Sequence, residues 1–127
     1  MHPQILAAVM AGGALGAGAR YLLSSQITRW LGSGFPWGTL VVNIIGCAVM
    51  GLLIGLFARV WHVGEFSRAL LTTGVLGGFT TFSAFALETA LLSERGQLWQ
   101  AGAYVLASVV ACLAGLQLCL WATRSLA

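Results

Sequence analysis

Gly74-Val75-Leu76-Gly77-Gly78-Phe79-Thr80-Thr81-Phe82-Ser83-Ala84-Phe85 sits inside an apolar run that extends from residue 69 to residue 92. The run is long enough to cross the hydrocarbon core of a bilayer, which takes about 20 apolar residues as a helix. Its centre is a poor helix former, because two adjacent glycines precede two β-branched threonines. A broken helix at membrane depth leaves backbone groups without partners, and each costs several kcal/mol in hydrocarbon. Such a break persists only where protein, water or an ion satisfies the freed groups. Half-helix ends and unwound carbonyls are one way that membrane proteins bind ions near the midplane. A glycine kink, with the threonines bonding back to their own helix, is the alternative reading.

Three further apolar runs flank this one. The expected helices cover about 4–29, 37–58, 67–92 (broken near 75–81) and 97–124, in a single transmembrane domain spanning 1–127. The turn Leu31-Gly32-Ser33-Gly34-Phe35-Pro36 and the short polar loops around residues 61–65 and 93–96 separate them. Residues 5–23 lack a positively charged leader region, so they are expected to be a retained first helix rather than a cleaved signal.

Composition agrees with a chain solvated by lipid. Of its 127 residues, 59% are hydrophobic and 7% are charged. Soluble domains carry about a quarter charged residues, and a soluble fold this poor in charge could not cover its surface. The fold class is therefore all-α integral membrane protein with four transmembrane helices and a break in the third. The positive charge comes from arginines alone, at 20, 29, 59, 68, 95 and 124. They flank apolar runs instead of clustering on one face, which excludes a nucleic-acid interface. Cys47, Cys112 and Cys119 all lie within apolar stretches and are expected to be buried free thiols packing as small hydrophobes.

With four crossings, Arg59, Arg68 and Arg124 fall on one side, Arg29 and Arg95 on the other, and Arg20 lies too deep to assign. The positive-inside rule needs an excess on one side, and this chain has almost none. Insertion in both orientations, with two copies pairing antiparallel about an in-plane two-fold axis, is the corresponding hypothesis. Small residues recur at one-turn spacing: Gly12 and Gly16, Gly51 and Gly55, Gly74 and Gly78, and the stripe Ala103, Ala107, Ala111, Gly115. In lipid, helices associate through close backbone approach and van der Waals contact, so these stripes argue for a tightly packed bundle.

The polar residues inside the runs are few. Asn43 needs a partner, either a neighbouring helix or an anion that accepts from its amide. Phe82 and Phe85 share a face if helix resumes after the break, and aromatic ring edges are electropositive. Tyr104 and Ser108 share a face of the last helix, with Cys112 one turn on. Glu88 is the one acid in an apolar run away from a loop, and Arg20 is its basic counterpart. The two either pair or reach the interface, and intramembrane ionisable residues are functional by default. Arg20 at a vestibule would raise the local anion concentration. No enzyme constellation is present: His2 and His62 lie at an end and in a loop, and Gly12-Gly13-Ala14-Leu15-Gly16 has no lysine to make it a phosphate loop.

The blocks Gly77-Gly78-Phe79-Thr80-Thr81-Phe82-Ser83-Ala84-Phe85, Gly38-Thr39-Leu40-Val41-Val42-Asn43 and Gly12-Gly13-Ala14-Leu15-Gly16-Ala17-Gly18-Ala19-Arg20-Tyr21 resemble the Fluc (CrcB-type) fluoride-channel family over essentially the whole chain. The resemblance implies a dual-topology antiparallel homodimer in the plasma (inner) membrane, with two pores that passively export cytoplasmic fluoride. It implies a structural sodium ion at the dimer centre, held by the backbone carbonyls of Gly77 and Thr80 from each subunit. It further implies that Phe82 and Phe85 form an aromatic box and that Asn43 contacts fluoride. Ser83, Tyr104, Ser108, Thr39 and Glu88 would lie along or beside the path, and Arg20 near its entrance. The chain departs from the family pattern at Ala84 and Ala86, where a hydroxyl is frequent, and at Cys112, where some members carry serine. A small multidrug-resistance transporter would need an acid in the first helix, and this chain has none there. A non-transporting membrane subunit would need neither the break nor the buried polar residues.

Overall fold

A computed structural model describes residues 2–126, all helix and connecting turns among the described residues. Helix α1 (Pro3–Leu31) starts with proline in its first turn, where no backbone N–H is missed, and stops at Gly32, whose φ of 88° suits glycine. Helix α2 (Trp37–Arg59) begins directly after Pro36. The third crossing is composite: α3 (Glu65–Ala69), a π-helical stretch (Leu70–Leu76), α4 (Gly77–Phe79), then Thr80 and Thr81 outside any helix, then α5 (Phe82–Glu94). A turn through Gly96, with φ 78°, leads into α6 (Leu98–Leu126). Among the described residues, four helical segments are long and apolar enough to cross a membrane, and the protein is a multi-pass membrane protein.

The irregularity in the third crossing starts earlier than the sequence suggests. The helix is already widened to π geometry from Leu70, and only then breaks at Thr80. π-helical turns often occur at functional sites. Here the widened stretch packs backbone to backbone on α1. A Cβ on Gly12 would sit 2.9 Å from Gly74 Cα and the Val75 nitrogen, and one on Gly78 would meet the Gly13 carbonyl at 2.5 Å. A side chain at 12 or 78 would force the backbones apart, and one at 74 would crowd Gly12 and the Ala8 and Val9 carbonyls.

The same rule holds α2 against α6, but through different residues from those expected on α6. Gly51 abuts the Leu116 carbonyl, and Gly55 abuts the Thr123 side chain. Of the small-residue stripe, Ala103 and Ala107 face outward, whereas Ala111 is half-buried and Gly115 lies beside Ile44 and Ala48 of α2, so only its second half borders a packing seam. The buried face of α6 is instead Ala101, Tyr104, Ser108 and Thr123. Both pairings put residues in the second half of α2 beside residues in the second half of α6, in the same order, so these two helices run in the same direction. Arg68 lies over the Phe57 ring at 5.1 Å, which places the third crossing's start at the end where α2 finishes.

Candidate functional site

The break is built by exchanging hydrogen-bond partners. Thr81 is extended and caps α5, its hydroxyl accepting from the Ala84 N–H at 3.2 Å. Thr81 N–H donates to Asn43 Oδ1 at 2.8 Å, and Asn43 Nδ2 donates back to the Thr81 carbonyl at 3.0 Å. In a continuous helix, the Thr81 N–H would bond the Gly77 carbonyl and the Ala84 N–H would bond the Thr80 carbonyl. Both donors are diverted, so Gly77 and Thr80 each lose the helical partner of their carbonyl. The Gly78 carbonyl is taken by Arg20, whose Nε donates to it at 3.1 Å. The partner of its Nε is thus this carbonyl and not Glu88, one of the alternatives open from sequence. The half-buried guanidinium offsets a freed backbone dipole at the break.

Glu88 has its own partners. Thr39 donates to one carboxylate oxygen at 2.6 Å and Tyr104 to the other at 3.3 Å. This cluster joins α2, α5 and α6 at one level. Outward from it lies a vestibule of about 280 Å³ lined by Ser24, Thr28, Phe35, Thr39, Glu88 and Arg95, among others. Inward, the Tyr104 ring meets Phe85 at 5.1 Å, and Phe85 meets Phe82 at 5.4 Å, both tilted by about 50°. Tyr104 is fully buried and Phe85 is buried, whereas Phe82 is 79% exposed. Beyond the rings opens a lateral groove of about 340 Å³, whose lining includes Asn43, Cys47, Thr80, Phe82, Ser108 and Cys112.

One oxygen in that groove stands out. Ser108 is 6% exposed and its hydroxyl has no hydrogen-bond partner. Buried polar groups are nearly always paired, and a helical serine can usually bond back to the preceding turn. An unpaired buried donor beside the aromatic rings and the Asn43 amide is an arrangement that can accept an anion.

The family model for CrcB-like protein, Camphor Resistance (CrcB), matches residues 7–120. The chain belongs to the CrcB family. Among its relatives, the fluoride-specific ion channel FluC of Sphingopyxis alaskensis is 58% identical over 83% of this chain and 83% of its own length. The FluC of Rhodospirillum centenum is 51% identical over 89% and 90% of the two chains, and that of Chelativorans sp. 52% over 93% and 94%. These relatives are named as ion channels, and CrcB membership sets the chain among transport proteins rather than enzymes.

In this CrcB chain the structure brings the sequence-selected residues into two neighbouring clusters. Thr39, Glu88 and Tyr104 share the hydrogen-bonded cluster; Asn43, Phe82, Phe85, Thr80 and Ser108 line the groove. Ser83 lies on the exposed side of α5, 3.3 Å from the Thr81 hydroxyl. Gly77 is exposed and Arg20 stands at the break, away from the vestibule lining. Sequence reasoning did not single out Thr81 or Arg95. Thr81 carried a signal, since a threonine before a resumed apolar helix is an N-cap pattern. The cysteines differ from expectation: all three are free but only half-buried, and Cys47 and Cys112 face the groove.

Proposed function

We propose that this chain is one half of an antiparallel homodimeric, fluoride-selective channel in the plasma (inner) membrane, through which cytoplasmic fluoride leaks out passively. The observation that carries the reading is the buried, unpaired Ser108 hydroxyl facing a groove with Asn43, Phe82 and Phe85. Fluoride holds its hydration water tightly, so a pore must replace that shell with donors. A hydroxyl, an amide with one N–H to spare and ring edges provide them without a formal positive charge. The names of the relatives support the same ion.

A path then follows from the geometry. Fluoride enters at the vestibule, where Arg95 offsets the charge of Glu88. The Thr39 and Tyr104 hydroxyls both donate to Glu88, which keeps the carboxylate from offering a bare negative face to the ion. Past Tyr104, the ion slides along the Phe85 and Phe82 edges to Ser108 and Asn43. What the single chain leaves open supports a second copy. Asn43, Thr81 and Ser83 are not sealed from the surroundings, nor is the exposed Gly77 backbone. In hydrocarbon such groups must be covered.

The carbonyls of Gly77 and Thr80, having lost their helical donors, fit a hard monovalent cation with oxygen ligands. Sodium bound there from both copies would neutralise carbonyl dipoles at the dimer centre and serve as structure rather than cargo. The direct test is ion efflux from liposomes that hold the purified protein, with a potassium shunt to dissipate charge. Fluoride should leave rapidly while chloride stays. Equal retention of both ions by well-inserted protein would overturn the proposal.

A further inference from the structure

From Thr39 to Gly51, helix α2 keeps one register against α6. Thr39 and Tyr104 meet at Glu88, Asn43 and Ser108 line the groove one turn on, and Gly51 touches Leu116 two turns beyond those. The rung between them is Cys47 and Cys112, four residues after Asn43 and Ser108 respectively. Both thiols are free, both are half-buried, and both line the groove of about 340 Å³. The register that sets Gly51 on Leu116 puts them on facing positions of the two helices. Neither takes part in the hydrogen bonds that build the site. Cys119 is two turns further along α6 and does not line this groove.

Two thiols facing each other across parallel helices offer a pair of soft ligands and nothing more. No group of three or more histidines, cysteines or carboxylates stands close enough to hold a metal among the described residues. Cations that need four ligands, such as zinc, are therefore not served. Soft d¹⁰ cations that accept two thiolates in line are served, because thiolate selects soft metals. We propose that Cys47 and Cys112 form a two-coordinate site for a soft thiophilic cation, Cu(I), Ag(I) or Hg(II), and that its occupation obstructs the groove. With Hg(II), two S–H bonds give up their protons to water and two S–Hg bonds form, with no change of oxidation state. The product is a neutral, bulky bridge one turn from Ser108 and Asn43.

The obstruction rests on the proposed function, whereas the binding does not, and the two are read separately. Hg(II) is the probe, added to purified Cys119→Ser protein and followed by intact mass under a glutathione challenge. One mercury per chain, with loss of two protons, should survive at least ~100-fold more glutathione than in the Cys47→Ser/Cys119→Ser or Cys112→Ser/Cys119→Ser proteins, as expected for two tethered ligands. Cys47→Ala/Cys119→Ala gives a second single-thiol protein should the serine variant fold poorly. Equal retention by the one-thiol and two-thiol proteins would overturn the site. In liposomes, Hg(II) should slow fluoride efflux through the Cys119→Ser protein, and dithiothreitol should restore it. The single-thiol proteins should keep their own untreated rates. Retained mercury with unchanged efflux would overturn the obstruction, and retained mercury with no fluoride efflux in any protein would instead contradict the channel reading.

Discussion

Replacing Ser108 with alanine separates a transport role from a structural one, because the two predict opposite signs. The hydroxyl is 6% exposed and donates to nothing. Its removal therefore breaks no hydrogen bond in the folded chain. A buried group left unsatisfied costs about 1–3 kcal/mol, so Ser108→Ala should melt at the same temperature or higher. The passing ion, however, loses a donor. A hydrogen bond to a charged partner contributes about 1.5–3 kcal/mol, and each 1.36 kcal/mol on a barrier is tenfold in rate, so fluoride efflux should slow by ~10- to 100-fold. The assay is liposome efflux normalised to the amount of inserted protein, paired with thermal melting in detergent. Unchanged efflux would take Ser108 out of the path. Slower efflux with a lower melting temperature would mean that the hydroxyl supports the fold and that the groove argument is mistaken.

Other perturbations follow from the same contacts. Asn43→Leu removes both bonds to Thr81 and strands a backbone N–H, so detergent melting should show destabilisation of ~1–3 kcal/mol. Gly51→Ala drives a methyl group into the Leu116 carbonyl and should destabilise the chain by about 1–3 kcal/mol through overpacking; melting reads this too. Two arginines added to the loop around residues 61–64 should bias insertion and abolish efflux when expressed alone, with recovery on co-expression of an oppositely biased copy. Full activity of the biased chain by itself would count against antiparallel pairing.

Particular residues show where sequence reasoning reaches and where it stops. The break was legible because Gly77-Gly78 and Thr80-Thr81 are poor helix formers placed at mid-run, a local property. The π-helical widening from Leu70 was not, since Leu70 to Thr73 carry no local signal and the geometry answers to close packing on Gly12. Arg20 was legible as a deep cation but not as a partner of the Gly78 carbonyl, because backbone acceptors are invisible in a pattern of side chains. The small-residue stripe of α6 had the right spacing for a seam. Spacing gives a face and not its direction, and the structure turns Ala103 and Ala107 outward while Gly115 lies beside α2. Asn43 was recognised as needing a partner, yet the choice of Thr81 depends on how α2 crosses the break. The pairing of Cys47 with Cys112 likewise follows from the α2–α6 register, a tertiary quantity.

The most direct test of a passive fluoride pathway is the current across a planar bilayer that contains the protein, with fluoride at unequal concentrations on the two sides and an impermeant counter-cation. A passive fluoride pathway should give a steady current that reverses at the fluoride equilibrium potential and vanishes when chloride replaces fluoride. A current that follows chloride equally, or fluoride movement with no current, would contradict it.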